Sequence, residues 1–267
     1  MRPFSPIIAS VLTSTFLHIP GVSWKTEVSL WEQGAENWYA FLASPTRFRT
    51  GSVGVKRIQA ALNESLQRLE KGEHQYFRRR LPARETWRVF PEFRNSLIYL
   101  DIETCGTPKN EITVVGAWDG QRYYSFVQGE NLAEFPDFLS RHSVVVTFYG
   151  SGFDLPVLKR TFPTAPFDQI HIDLYPTLRR IGLTGGLKSI ERALGIERSS
   201  ATAGMTGYDA VQLWRSHRKG RRDALPLLLQ YNREDVQNLE PLMEHAYSAL
   251  RRLVFEGREQ PHRFGSR

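Results

Sequence analysis

Residues 97–103 read Leu97-Ile98-Tyr99-Leu100-Asp101-Ile102-Glu103, an apolar run that closes on two acids. The run LIYLD predicts a buried strand ending at Asp101. Successive side chains of a strand point to opposite faces, so Asp101 and Glu103 share one side. Two carboxylates that close repel each other unless a cation stands between them. Hard, oxygen-seeking Mg²⁺ or Mn²⁺ suits that place. A solvated acid pair at a strand end has the same spacing, so other parts of the chain must decide between the two.

Downstream the texture stays α/β. ITVVGAW and YYSFV, on either side of Asp119-Gly120, predict a hairpin. Residues 131–141 predict a helix, VVVTFY (144–149) a second buried strand, and IHIDL (170–174) a short one. A helix is expected to begin near Asp154, and the remainder is mainly helical. Three strands first, then strands alternating with helices, predict a mixed sheet flanked by helices, with functional residues at strand ends. Upstream, residues 16–44 are short, helical and aromatic, and 53–72 form an amphipathic helix with Val55, Ile58, Leu62, Leu66 and Leu69 on one face. A basic, aromatic link follows, YFRRRLPARETWRVFPEF, in which Pro82 and Pro91 discourage a continuous helix.

Further acids fall at telling places. In TFYGSGFDLPVLKR, Gly150 and Gly152 allow a sharp turn, and Asp154 opens a helix. A helix cap requires an Asp there just as a metal site would. In YNREDVQNL, Tyr231 and Asp235 stand one turn apart on one helix face, while Glu234 is rotated about 100° away. His171 and Asp173 share one side of a strand, as a strand-end polar pair or as support for the site.

The formal charge is +7, from 35 Lys and Arg against 28 Asp and Glu, which suits a polyanionic partner. Hydrophobic residues make up 41%, enough for a packed core rather than a disordered chain. The single cysteine, Cys105, excludes an internal disulfide and a cysteine-based zinc site, and fits a packing role. The start, MRPFSPIIASVLTSTF, is interrupted by Pro6, Ser10, Thr13 and Ser14 and carries no cleavage box. No apolar run approaches the roughly 20 residues of a membrane helix. The expectation is a cytoplasmic protein without a membrane partner.

Taken together, DIETCGT, TFYGSGFDLPVLKR, HIDLYPTLRR, GGLKSIERALGIER and YNREDVQNL resemble the YprB-like branch of the ribonuclease-H-like DEDDy exonucleases, over about residues 16–250. The ordered pattern is Asp-x-Glu at a first strand, Phe-Asp after a later one, and Tyr-x-x-x-Asp on a late helix. The resemblance implies a ribonuclease-H-like α/β domain over 96–255, with a short tail at 256–267. It implies that Asp101, Glu103, Asp154 and Asp235 hold two Mg²⁺ or Mn²⁺ ions, about 3.5–4 Å apart, with Tyr231 orienting a water. The activity implied is 3′–5′ exonuclease hydrolysis of phosphodiester bonds to nucleoside 5′-monophosphates, on DNA in preference to RNA and in repair or processing. An RNA exonuclease and a non-catalytic nucleic-acid-binding adaptor are the alternatives. A helicase partner is also implied. The chain departs from the pattern at Tyr149, where the family often carries Asn, which bears on substrate positioning.

Residues 1–50 resemble a helix-hairpin-helix segment, with Pro20 and Gly21 present and Ser23 in place of the second glycine. Such a hairpin holds phosphate without reading bases, and Lys25 is its expected phosphate partner; a helical packing module is the alternative. Residues 51–95 are the amphipathic helix and the basic link. There Arg78, Arg79, Arg80, Arg84 and Arg88, interleaved with Tyr76, Phe77 and Trp87, could guide a single strand or remain a solvated link. Lys188, behind Gly185-Gly186 at a helix start, is a candidate phosphate contact or surface charge.

Overall fold

The computed structural model describes residues 10–107 and 109–255. The first nine residues and the expected tail at 256–267 lie outside the described residues. The chain forms two compact units that divide between Arg94 and Asn95.

The N-terminal unit is helical: α1 Trp24–Glu32, α2 Trp38–Ala43, α3 Val55–Glu70 and α4 His74–Arg80. Ser23 is extended and caps α1, its hydroxyl accepting the Thr26 N–H at 3.2 Å, while the left-handed residue of the turn is Gly21. Ser23 therefore meets no positive-φ demand. α3 buries Ile58 and Leu62 as its periodicity predicts, and Ser65 beside them. Ser65 is tolerated there because its hydroxyl joins His18 Nε2 at 2.8 Å and Tyr76 at 2.9 Å.

The strand-guiding reading needs correction at Tyr76, Phe77, Trp87 and Arg88, which are buried, whereas Arg78, Arg79 and Arg84 are exposed. Tyr76, Phe77 and Trp87 are core residues, with Trp38 and Phe77 stacked at 6.3 Å. Arg88 is fully buried, its Nε donating to Glu85 at 2.8 Å and its Nη1 lying 3.2 Å from Glu27. The sequence left a strand-guiding or a solvated link open for Arg88; a short 3₁₀ helix over Ala83–Val89 instead turns it inward to two acids.

The C-terminal unit is α/β. Its strands are β1 Leu97–Thr104, β2 Ile112–Trp118, β3 Tyr123–Val127, β4 Val144–Thr147 and β5 Ile170–Asp173. Its helices are α5 Phe135–Leu139, α6 Asp154–Thr161, α7 Leu174–Arg179, α8 Leu187–Ala193, α9 Gly207–Arg218 and α10 Ala224–Phe255. The sheet order is β3-β2-β1-β4-β5, antiparallel among the first three strands and parallel from β1 to β4 to β5. Central β1 is buried on both faces. Ile98, Leu100 and Ile102 pack with Phe135, Val157 and Leu158 from α5 and α6. The odd-numbered residues of β1 therefore face the other side, where α9 and α10 lie against the sheet. That alternation places Asp101 and Glu103 toward α10.

Two strand ends differ from expectation. β1 runs three residues past Asp101 because β2 continues to pair with it up to Thr104 and Ile112. β4 stops at Thr147, short of the expected Tyr149, because Tyr149 adopts a left-handed backbone, φ 64°. Among the described residues no helix is long and apolar enough to cross a membrane.

Candidate active site

β1 and α10 supply the centre. Asp101, Glu103 and Asp235 each offer a carboxylate oxygen within 4.8 Å of the others. The one-turn spacing on α10 turns Tyr231 and Asp235 inward, both buried, with Asn232 between them in sequence and fully buried. Glu234 points elsewhere, to Thr202 and Gln230.

Asn232 fixes Asp101. Its amide nitrogen donates to Asp101 Oδ2 at 3.0 Å, and its amide oxygen accepts the Tyr123 hydroxyl at 2.9 Å. This crossing needs Gly116, the β2 partner of Asp101: a Cβ there would lie 1.6 Å from Asn232 Oδ1. Asp154 stands beside the three acids rather than among them. It is the first residue of α6, which has no side-chain cap, and its Oδ1 accepts the Ile102 N–H of β1 at 3.2 Å.

Two cations reach this pocket. Arg198 forks onto Glu191, at 2.8 and 2.6 Å, and its Nη2 also lies 2.5 Å from Asp235 Oδ1. Lys188 Nζ donates to the Tyr231 hydroxyl at 2.6 Å and to the Met205 carbonyl. Negative charge still exceeds positive. Burial, then repulsion by Asp235, pushes Glu103 up to about 8. Burial raises Asp154 to about 7 against the hydrogen bonds its carboxylate accepts. Asp101 is raised well above the carboxylate range by burial and by Asp235, Asp154 and Glu103. Burial also raises Asp235, with Arg198 pulling the other way. The Tyr231 hydroxyl is raised by burial and by the neighbouring acids, so it is protonated at neutral pH.

These residues fit a divalent cation. Oxygen donors converge from a half-buried Asp101 and the buried Glu103 and Asp235, and Glu103 Oε1 is buried with no hydrogen-bond partner among the described residues. A bound cation would satisfy that atom and relieve the repulsion.

Among the other residues singled out from sequence, Lys188 lies at the site. Lys25, Arg78, Arg79 and Arg80 belong to the N-terminal unit. Lys25, Arg78 and Arg79 are exposed, and Arg80 covers the Tyr76 ring at 3.9 Å. Cys105 packs at the edge of the cluster formed by Val114, Val127 and Trp214. His171 meets Thr147 at 2.8 Å, and Asp173 accepts backbone N–H groups of Tyr149 and Ser151. Sequence reasoning missed Asn232, Tyr123 and Arg198. Asn232 could have been suspected, since it shares the inward arc of α10 with Tyr231 and Asp235; nothing local marked Arg198.

A family model described as RNase_H superfamily (RNase_H_2) matches residues 98–247. Among solved structures, the family B DNA polymerase from the hyperthermophilic archaeon Pyrobaculum calidifontis is similar with a TM-score of 0.46 and 18% sequence identity. The match covers 56% of this chain and 24% of the polymerase chain. No curated protein matches the sequence.

Proposed function

The chain belongs to the RNase H superfamily, and on that premise we propose that it is a metal-dependent 3′–5′ exonuclease of the YprB-like DEDDy type. Its substrate is single-stranded or processed ends of DNA, and its products are nucleoside 5′-monophosphates. The observation that carries this reading is the convergence of half-buried Asp101 with buried Glu103 and Asp235 within 4.8 Å, with Asp154 adjoining.

Asp101, Glu103, Asp154 and Asp235 would hold two divalent ions, which when bound acidify a water and offset charge on the leaving oxygen. The chain's own groups do the positioning. Asn232 holds one oxygen of Asp101, leaving the other to turn into the pocket. Tyr231 keeps its proton and therefore donates from its hydroxyl to the water or a phosphate oxygen. Lys188, on the same hydroxyl, fixes that orientation and adds positive charge where phosphate enters.

End-labelled DNA and RNA, single- and double-stranded, incubated with wild type and Asp101→Ala plus Mg²⁺ or Mn²⁺, test the reading. Wild type is expected to shorten DNA strands from the 3′ end to mononucleotides. Asp101→Ala is expected to lose on the order of 10⁴-fold in rate, as members of a catalytic unit do, while staying folded. Comparable cleavage by Asp101→Ala rejects the assignment. Strand binding without cleavage by wild type favours an adaptor, and faster RNA shortening moves the substrate to RNA.

A further inference from the structure

The turn between β4 and α6 holds an aromatic side chain under conditions that packing does not explain. Tyr149 is 51% exposed and sits at φ 64°, a region that bulky residues rarely occupy. Such a backbone is strained and persists where surroundings impose it. Here Asp173 imposes it. Its carboxylate accepts the N–H of Tyr149 at 2.8 Å, of Ser151 at 2.9 Å and of Tyr175 at 3.1 Å. One buried acid thus fixes the backbone under two tyrosines.

The two rings meet edge to face, centroids 5.3 Å apart with planes at 82°, and Phe148 braces Tyr175 at 5.7 Å. The outer part of the Tyr149 ring lies over Gly152, where a Cβ would come within 2.5 Å of Cζ. Arg179 lies over Tyr175, 5.5 Å from its centroid. A supported ring with half its surface in solvent, next to a guanidinium, is what stacks a planar aromatic ligand near a phosphate.

Its position identifies that ligand. The same turn leads into Asp154: Phe153 N–H bonds the Tyr149 carbonyl at 3.2 Å, and Leu155 N–H bonds the Gly150 carbonyl at 2.9 Å. Whatever stacks on Tyr149 is therefore held beside the carboxylate pocket. Resting on the nuclease reading above, we propose that Tyr149, braced by Tyr175, is the platform on which a nucleobase near the 3′ end of the substrate strand stacks. Every base has such a face, so the platform tolerates sequence and either sugar.

The test uses the full chain and single strands of DNA and of RNA, bound in the presence of Ca²⁺ and followed by fluorescence anisotropy. An abasic residue is placed in turn at each of the last three positions. Tyr149→Ala has the same left-handed demand as Tyr, so it removes the ring without changing the turn. It is expected to weaken binding roughly tenfold, while Tyr149→Phe binds as wild type does. One abasic position should weaken wild type equally and Tyr149→Ala no further. Unchanged binding by Tyr149→Ala overturns the platform, as does an equal loss on every abasic strand. A wild-type protein that neither binds nor shortens strands overturns the nuclease reading itself, whereas shortening and binding indifferent to Tyr149→Ala overturn the platform alone.

Discussion

Arg88 in the N-terminal unit and Asp235 in the C-terminal unit are both buried, and their surroundings balance charge in opposite ways. Arg88 lies between Glu27 and Glu85, with Arg84 reaching Glu85 from the surface side at 3.4 Å. Burial raises Glu27, and Arg88 pulls it back. Around Asp235, by contrast, Asp101, Glu103, Asp154 and Glu191 face Arg198 and the half-buried Lys188. In the first arrangement the charges balance within the helical unit, although Arg88 Nη2 has no hydrogen-bond partner among the described residues. The second leaves carboxylate charge that the chain does not neutralise, which is the condition for a site that recruits cations. Buried charge alone is therefore no mark of function; its imbalance is.

The contrast can be broken most forcefully at Arg88. Arg88→Met leaves two buried carboxylates without their partner and should cost about 3–5 kcal/mol in urea unfolding; a loss below 1 kcal/mol would mean that the acids find other partners. Metal acts on the opposite side of the comparison. Mg²⁺ or Mn²⁺ at about 100 times its Kd should stabilise the chain by about 2.7 kcal/mol, seen as a rise in melting temperature that Asp101→Ala largely removes. An equal rise in both proteins would place the cations elsewhere. Gly116→Ala sharpens the point, since its methyl displaces Asn232 from Asp101. Overpacking of this kind costs about 1–3 kcal/mol, and turnover should fall with it. Wild-type turnover in Gly116→Ala would show that Asn232 is dispensable.

The smallest effect is the pH dependence that His18 contributes in the N-terminal unit. Burial, with Arg80 and Arg88 nearby, draws His18 down from 6.5 to about 3. The unfolded chain then takes up this proton first, so the stability His18 contributes is full above 6.5 and is lost progressively as pH falls toward about 3. Between pH 7 and 5.5 the share expected from His18 is a loss of about 1 kcal/mol, read as the difference between wild type and His18→Gln because Glu92, Glu103 and Asp154, all raised by burial, change stability in the opposite direction in this range. His18→Gln should lack that share alone; equal pH profiles in the two proteins would mean that His18 contributes none of it.

What was legible in the sequence was what depends on local periodicity. Asp101 and Glu103 share a face because strands alternate, and Tyr231 and Asp235 because helices turn every 3.6 residues. The mixed sheet followed from the order of apolar runs. What was not legible depends on distant partners. Arg88 was grouped with the arginines of a basic link that could be solvated, yet Glu27, far away in the chain, draws it inside. Arg198 carried no local sign of meeting Asp235. Ser23 looked like a flawed glycine and is a helix cap, because the turn places its positive φ at Gly21 instead.

Gly116 and Asn232, far apart in the chain, are joined by the space they share beneath Asp101. Sterically, neither position can be changed without regard to the other. A side chain at 116 would have to push residue 232 aside or be met by a shorter one there, and either change releases the acid that the amide holds.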